Sequence, residues 1–264
     1  MLVGMRDSEG SAVHDWNVHW TRYAEGVRQN PANSYRRKLV RELLADTAGQ
    51  ERILDIGSGQ GDLALALAAE FPDAEVRGIE FSQTGVDLAR DAAESLNISA
   101  RFEQRDLLST TAVPVEQAGW ATTAICSEVL EHIDRPEVLL RNATDYLASG
   151  CRVIVTVPGG PRTAFDRHIG HLRHFTPASL NAVLSAVGFE VVSIRRAGFP
   201  FFNLYRTAVL LRGKRLISDF NSGAANSGRL SSILLRFFDL SFRWNLDSSP
   251  LGWQLVALAK TPEA

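Results

Sequence analysis

Short apolar runs of strand length alternate with stretches of helical spacing from about residue 50 to the end of the chain. The helix-like stretches carry apolar residues three and four positions apart, and the strand-like runs are short and rich in β-branched residues. Strands are predicted over 52–57, 75–81, 100–107, 120–128, 151–158, 190–197 and 253–260, and helices over 33–49, 61–71, 83–97, 135–150 and 176–189. This alternation predicts a parallel sheet covered by helices on both faces.

Two regions depart from the alternation. Residues 158–175 form a predicted loop rich in glycine, proline and histidine, and residues 198–250 separate the last two strands. The second region is predicted to contain two helices, over 199–217 and 231–244, joined by a polar linker. Because no ordinary crossover helix joins the last two strands, we expect them to pair antiparallel at one edge of the sheet. An insert of this length indicates a function.

The first predicted strand is followed by a glycine-rich turn. Both lie in the segment RILDIGSGQGDLALALA (52–68). Gly57, Gly59 and Gly61 let the backbone turn tightly and let a ligand lie against it. The spacing G-x-G-x-G is one residue shorter than the dinucleotide-binding turn G-x-G-x-x-G, and Asp55 precedes it. A carboxylate beside the turn would repel a pyrophosphate, whereas it would attract an amine or a sulfonium.

Two further acids follow the next two predicted strands. Glu80 lies where it can accept hydrogen bonds from ribose hydroxyls, and Asp106 lies where it can accept one from an adenine amino group. Since ligands of parallel sheets bind at the carboxyl ends of the strands, Asp55, Glu80 and Asp106 are expected to share one rim. Together with the glycine turn, these acids predict a site for the sulfonium nucleoside S-adenosylmethionine (SAM).

Several motifs of the chain resemble those of the class I SAM-dependent methyltransferases. They are ILDIGSGQG (53–61), GIEFS (78–82), QRDL (104–107), ICSEVLEHI (125–133) and YLASGCRVIVTVPGG (146–160). Within that class, SEVLEHI and GHLRHFTPASL are similar to the ubiquinone-biosynthesis-type O-methyltransferases and their relatives acting on natural products and sugars. The resemblance implies an α/β fold with a Rossmann-like, seven-stranded, mostly parallel sheet in the order 3-2-1-4-5-7-6, the last strand antiparallel.

The same resemblance implies roles for the residues that match its motifs. Asp55, Gly57 and Gly59 would line the methionine moiety of SAM, and Glu80 would bind its ribose. The remaining cofactor residues would be Asp106 and Leu107 at the adenine, Phe81 against the adenosine, and Ser127 near the ribose or sulfur.

A single methyltransferase domain over 1–264 is therefore expected, with two accessory segments. A helical segment over 1–49 would cover the SAM site, with Trp20, Tyr23 and Tyr35 either closing over the methionine end or packing as ordinary aromatic residues. The insert 198–250 would cap an apolar acceptor pocket with some of its aromatic residues. Those residues are Phe199, Phe201, Phe202, Tyr205, Phe237, Phe238, Phe242 and Trp244.

Histidines cluster after the fourth and fifth predicted strands, at positions 132, 168, 171 and 174. Methyl transfer from a sulfonium is an in-line displacement, and removal of a proton assists an oxygen acceptor. Histidine titrates near neutrality, so His171 is the first candidate for the base and His132 the second. The alternative is that these histidines only bond backbone carbonyls and hold the loop.

The string EVLEH allows a different chemistry. Glu128, Glu131 and His132, joined by His171, could hold a divalent cation such as Mg²⁺. Some members of the resembling group use such an ion to lower the pKa of the acceptor hydroxyl. Against this, the same string opens a predicted helix, where acids interact favourably with the helix dipole.

The expected activity is transfer of a methyl group from SAM to a small molecule, onto a hydroxyl oxygen. The signature of methyltransferases that act on amines of nucleic acid bases or on amides, Asn or Asp followed by Pro-Pro and an aromatic residue, is absent, since position 127 onward reads SEVLE. Small-molecule amines and carbon acceptors stay open. The alternatives are a metal-assisted O-methyltransferase, RNA 2′-hydroxyls included, and a catalytically silent module that binds SAM or a nicotinamide cofactor.

Composition limits the possible binding partners and cellular environment of the protein. A net charge of -2 and a sequence pI of about 6.3 argue against nucleic acid. Cys126 and Cys151 lie in apolar strand-like runs, which predicts buried thiols and fits a reducing, cytoplasmic environment. The sequence shows neither a signal peptide nor a charge-free apolar stretch long enough to span a membrane. Four basic residues among apolar ones leave contact with a membrane surface or an anionic acceptor open: Arg206, Arg212, Lys214 and Arg215.

Overall fold

The computed structural model describes residues 15–28, 30–44, 51–109, 112–221 and 236–263. The strands are β1 (Arg52–Ile56), β2 (Glu75–Glu80), β3 (Ala100–Gln104), β4 (Ala121–Ser127), β5 (Leu147–Pro158), β6 (Glu190–Ala197) and β7 (Gln254–Lys260). The helices are α1 (Trp16–Arg28), α2 (Pro31–Leu44), α3 (Asp62–Glu70), α4 (Gln83–Leu96), α5 (Pro136–Ala143), α6 (Ala164–His168), α7 (Pro177–Val187) and α8 (Phe201–Asn221). Residues 236–241 are also helical and continue into a 3₁₀ turn, Phe242–Trp244.

The strands form one seven-stranded sheet in the order β3-β2-β1-β4-β5-β7-β6. Strands β1 to β5 are parallel to their neighbours, and β7 is antiparallel to both β5 and β6. The predicted fold class and strand order are therefore confirmed. Parallel pairing puts the carboxyl ends of β1 to β5 at one edge of the sheet, where the loops of a ligand site meet.

Local signals placed most helix ends correctly. Thr176 caps the N-terminus of α7, because its hydroxyl accepts a hydrogen bond from the backbone N–H of Ser179 at 3.1 Å. The helix ends at Gly188, which adopts the left-handed conformation expected of a C-terminal glycine.

One predicted helix boundary was wrong. The helix expected over 135–150 ends at Ala143, and Leu147 already belongs to β5. Gly150 does not stop a helix. It has a positive φ of 68° within the strand, where the pairing register shifts between Ala121 and Thr123. Glycine is found at such bulges within strands as well as at helix ends, so Gly150 was a misleading signal for the end of a helix.

Other boundaries differ by a few residues. The predicted loop 158–175 contains the short helix α6, and α8 runs to Asn221 instead of ending at residue 217. Residues 45–49 of the first predicted helix lie outside the described residues. So do residues 231–235 of the second predicted insert helix, and most of its polar linker.

Two apolar clusters cover the two faces of the sheet, and a third joins the insert to the domain. In the third cluster Tyr35 lies 5.3 Å from Phe202 and 5.6 Å from Phe242, measured between ring centroids. Tyr35 is 2% exposed, so of its two expected roles it has ordinary packing. Among the described helices, none has the length and apolar character needed to cross a membrane.

Candidate functional site

The glycine turn after β1 leaves its backbone open to close contact. Gly57, Gly59 and Gly61 have φ angles of 72°, 55° and 82°, in the left-handed region that favours glycine. A Cβ on Gly57 would lie 2.6 Å from a methyl carbon of Val129, and one on Gly59 would lie 2.6 Å from the indole of Trp20. Conformation and space therefore both require glycine at these two positions.

Asp55 lies beneath this turn with only 2% of its surface exposed. Among the described residues, none donates a hydrogen bond to its Oδ2 atom. Burial and, to a smaller extent, the charge of Glu80 raise its pKa to about 7, against the opposing hydrogen bond from the N–H of Ala64. A buried carboxylate without a counter-charge would be stabilised by a cationic ligand, so the site fits the amino group or sulfonium of SAM.

Glu80, the last residue of β2, is held by the backbone around it. Its Oε2 accepts from the N–H of Gly59 at 2.9 Å, and its Oε1 accepts from the N–H of Ser82 at 2.9 Å. Burial raises the pKa of Glu80, and these backbone donors lower it. The two hydrogen bonds fix the carboxylate beside the turn, at the position expected for a ribose acceptor.

The remaining predicted cofactor residues have varied surroundings. Asp106 lies two residues beyond β3, and its Oδ1 accepts from the N–H of Leu108 at 2.9 Å. Leu107 is 8% exposed and packs in the sheet core, whereas Phe81 is 52% exposed. Ser127 shares a 2.8 Å hydrogen bond with the hydroxyl of Thr156. Phe81 is therefore the apolar side chain of this set that is open to a ligand.

Helix α1 lies across the glycine turn. The ring of Trp20 covers Gly59, and Asn17 accepts hydrogen bonds from the hydroxyl of Ser82 at 2.7 Å and the N–H of Thr84 at 3.2 Å. Trp16 meets the ring of His132 edge to face, 4.8 Å between centroids. The sequence analysis named Trp20 for this region but missed Trp16 and Asn17, since no motif marks them. The side chain of Tyr23 lies outside the described residues.

A buried group formed by Glu131, His132 and His171, called the histidine group below, lies at the ends of β4 and β5. The Nε2 atoms of His132 and His171 each lie 4.0 Å from Oε1 of Glu131. Glu131 is fully buried, and within the described residues neither of its carboxyl oxygens accepts a hydrogen bond from another residue. These three side chains offer ligand atoms within 4.8 Å of one another.

Burial sets the charge state of the histidine group. It raises the pKa of Glu131 well above its usual range, and the charge of Glu128 adds to the shift. It lowers the pKa of His171 below the usual range, with further contributions from His132 and His174. Both groups therefore favour their neutral forms, as expected where no solvent or counter-charge compensates an ion.

Asp166 and Arg206 support the histidine group from the loop and the insert. The carboxylate of Asp166 is fully buried and accepts from Nη2 of Arg206 at 2.9 and 3.1 Å, which ties α8 to α6. Asp166 also accepts from the N–H of Thr163 at 2.7 Å, in a capping box. Asp166 was not predicted as a site residue, although Thr163-x-x-Asp166 is a helix-start pattern in the sequence.

Glu128, the fourth residue considered for a cation, has other partners. Its Oε2 lies 2.7 Å from the guanidinium of Arg36, and its Oε1 accepts from the amide of Gln254 at 2.8 Å and the hydroxyl of Thr156 at 3.2 Å. Its backbone has a positive φ of 57°, which is strained for a glutamate. Glu128 thus belongs to an ion-pair network that joins α2, β5 and β7.

The two parts of the site adjoin each other. Val129, which lies against Gly57, is two residues before Glu131 in the chain. In α1, Trp20 covers the glycine turn and Trp16 contacts His132 of the histidine group. A sheet of this order, a glycine turn, and a buried acid suited to a cation together define the class I fold that binds SAM.

Comparison with known proteins agrees. Residues 27–194 match a family model described as a methyltransferase domain, which is more than half of the chain. The chain therefore belongs to this family, and it is a SAM-dependent methyltransferase.

Two relatives illustrate the range of similarity. A demethylmenaquinone methyltransferase of Thermus thermophilus is 34% identical over 185 residues, which are 60% of this chain and 81% of the relative. A ubiquinone biosynthesis O-methyltransferase of Acinetobacter baylyi is 28% identical over 152 residues, 57% of this chain and 62% of the relative.

Solved structures support the fold. The SpnF cyclase has a TM-score of 0.60 at 20% identity, covering 86% of this chain and 81% of that one. A phosphoethanolamine N-methyltransferase of Haemonchus contortus in complex with SAM has a TM-score of 0.56 at 15% identity, and the match covers 86% of this chain and 52% of that one. Since one of these proteins is a cyclase and the other a methyltransferase, the fold alone does not identify a reaction.

Proposed function

We propose that the protein transfers the methyl group of SAM to a hydroxyl oxygen of a small molecule. The observation that carries this proposal is the histidine group, in which the buried carboxyl group of Glu131 lies 4.0 Å from two imidazole nitrogens beside the SAM site. An amine that is already unprotonated at neutral pH can attack without such a base. A hydroxyl acceptor, in contrast, gains from losing its proton during the attack. The name of one relative, a ubiquinone biosynthesis O-methyltransferase, supports transfer to oxygen, and the quinone named for each of the two relatives supports an acceptor with an apolar body.

The proposed reaction is a direct displacement. The acceptor oxygen attacks the methyl carbon of SAM as the bond from that carbon to sulfur breaks, so S-adenosylhomocysteine (SAH) leaves as a neutral thioether. The proton of the hydroxyl passes to the lone pair of His171 Nε2, with His132 as the second candidate. Asp55 and Glu80 hold the cofactor, and α1 excludes water from the cofactor edge. These residues contribute mainly by alignment, because the sulfonium is already a reactive donor.

A metal-assisted version uses the same residues. Burial disfavours the protonated form of His171, which leaves its lone pair free for a cation, and a divalent cation would stabilise the ionised form of Glu131 that burial otherwise disfavours. Glu131, His132 and His171 would hold the divalent cation, which would lower the pKa of the acceptor hydroxyl. Glu128, which the sequence analysis included in this set, is paired with Arg36 instead.

The test is a methyl-transfer assay with SAM labelled in its methyl group. Phenols, anilines and thiophenols with the same apolar body serve as acceptors, and mass spectrometry locates the transferred methyl group. We expect methyl ethers from the phenols, and exclusive methylation of nitrogen or sulfur would overturn the proposal. Repeating the assay after chelation and re-addition of Mg²⁺, Mn²⁺ or Zn²⁺ separates the two versions, since activity unchanged by chelation excludes the metal.

A further inference from the structure

A third imidazole extends the histidine group away from the SAM site. Nε2 of His174 lies 3.2 Å from Nδ1 of His171, and Nδ1 of His174 lies 3.2 Å from the carbonyl oxygen of Gly160. His174 thus connects His171 to a fixed backbone atom. The sequence analysis counted His174 in the histidine cluster but gave it no role.

The positions of the protons along this chain follow from its last acceptor. A carbonyl oxygen only accepts, so Nδ1 of His174 carries a hydrogen. A neutral imidazole carries one hydrogen, so the ring of His174, with that hydrogen on Nδ1, accepts through the lone pair of its Nε2. The hydrogen between the two rings therefore belongs to Nδ1 of His171. In a neutral His171 this leaves the lone pair on Nε2, which lies 4.0 Å from Oε1 of Glu131.

Asp166, the other acceptor near this chain, does not replace His174. Its carboxylate lies 4.0 Å from Nδ1 of His171 and 3.7 Å from Nε2 of His174, beyond hydrogen-bond distance. Its oxygens already accept from Thr163 and Arg206. Its charge lies beside both nitrogens, so it favours the hydrogen that the two rings share, and the carbonyl of Gly160 decides which ring carries it.

We propose that His174, anchored on the carbonyl of Gly160, is a positioning residue that keeps the lone pair of His171 on Nε2, on the side of Glu131 and His132. The use of that lone pair rests on the proposed function, whether it takes the hydroxyl proton or binds a cation. The opposite tautomer would present an N–H to the same space and could do neither. Outer partners of this kind commonly set the tautomer of a functional histidine.

Imidazole NMR tests the tautomer without any activity assay. The full chain is labelled with ¹⁵N in its histidine side chains, and long-range proton–nitrogen correlations identify the protonated nitrogen of each ring. We expect His171 of the wild-type protein to be protonated at Nδ1 and bare at Nε2. A hydrogen on Nε2 of His171 in the wild-type protein would overturn the inference, whatever the activity of the enzyme.

Matched variants test the role of His174. His174→Leu fills similar space without an acceptor, whereas His174→Gln keeps an amide oxygen that accepts from His171. We expect His174→Leu to lose the single tautomer of His171 and His174→Gln to restore it in part. The exposed His168→Gln in the same loop is the control, and it should leave the His171 signals unchanged.

Kinetics connects the tautomer to the reaction. Once an acceptor is found, we expect kcat of His174→Leu to fall about 10- to 100-fold, as for other partners that orient a functional histidine. The Kd of SAH should stay within about twofold of the wild-type value, because the hydrogen bonds from His171 through His174 to Gly160 involve none of the proposed cofactor residues. Equal kcat for the wild type and His174→Leu would refute the positioning role. A correct tautomer in a protein that methylates no hydroxyl would refute the proposed function alone.

Discussion

At the ends of β1 and β2 a buried acid is bound by backbone near it, whereas at the ends of β4 and β5 buried acids depend on side chains from distant elements. Glu80 accepts from the N–H groups of Ser82 and Gly59, both in the turns that close the cofactor edge. Asp166 needs Arg206 from α8, and Glu128 needs Arg36 from α2. The carboxyl ends of β1 and β2, which we propose as the cofactor edge, are therefore built by local motifs. The carboxyl ends of β4 and β5, which we propose as the acceptor edge, are built by the assembled fold.

The difference matches what each edge must do. Every SAM-dependent enzyme binds the same cofactor, so its site can rely on backbone and a short motif. An acceptor site varies with its substrate, and loops and inserts change more readily than strand ends. The following variants test whether the two edges are as independent as the structure indicates, in order of decreasing effect.

The largest expected effect is on catalysis at the acceptor edge. His171→Ala should lower kcat by about 10²- to 10⁴-fold, the usual contribution of a group that handles the proton. The Kd of SAH, measured by calorimetry, should change less than about twofold, because His171 contacts no cofactor residue. A large loss of SAH affinity would show that the two edges are coupled. His168→Ala is the control with full activity.

Asp55→Asn should act on the opposite edge. Loss of a buried carboxylate facing a cation should weaken SAM binding by about 10- to 100-fold, in line with hydrogen bonds to charged groups. Its raised pKa, about 7, gives a second signature. Below pH 7 the free protein holds Asp55 protonated, so SAM affinity should fall by up to about tenfold for each pH unit. It should level off above pH 7. Calorimetry from pH 5 to 8 should show this slope for the wild type and not for the variant.

Glu128→Gln distinguishes a structural residue from a cation ligand. The substitution leaves Arg36 without its ion-pair partner at a largely buried position, so we expect a loss of about 2 kcal/mol in the free energy of unfolding. Urea denaturation measures it. Metal dependence, if present in the wild type, should be retained. Loss of metal binding without loss of stability would place Glu128 in the cation site after all.

The smallest effect compares two glycines. Gly59→Ala and Gly188→Ala each put a side chain at positive φ, which should cost about 1–2 kcal/mol of stability. Only at Gly59 would the new Cβ also meet Trp20, since nothing lies within 4 Å of a Cβ on Gly188. We therefore expect faster hydrogen exchange in α1 for Gly59→Ala alone. Equal exchange in both variants would mean that α1 is not held by this contact.

Motifs with a fixed local geometry were predictable. The strand order followed from the resemblance, and the acid and glycines of the first turn could be read directly because backbone conformation and residue type are tightly linked there. Gly150 shows the limit of the same reasoning. A glycine adopts the left-handed conformation readily, but whether Gly150 ends a helix or forms a bulge depends on the pairing of β5 with β4.

The sequence by itself determined the sheet, the cofactor edge and the presence of histidines at the acceptor edge, because these depend on periodicity and on short motifs. Only the tertiary structure decided how the charges pair. In the structure Glu128 pairs with Arg36, Glu131 faces two imidazoles, and His174 lies between His171 and a backbone carbonyl. Such pairings join residues far apart in the chain, and their energies depend on burial, which no local pattern encodes.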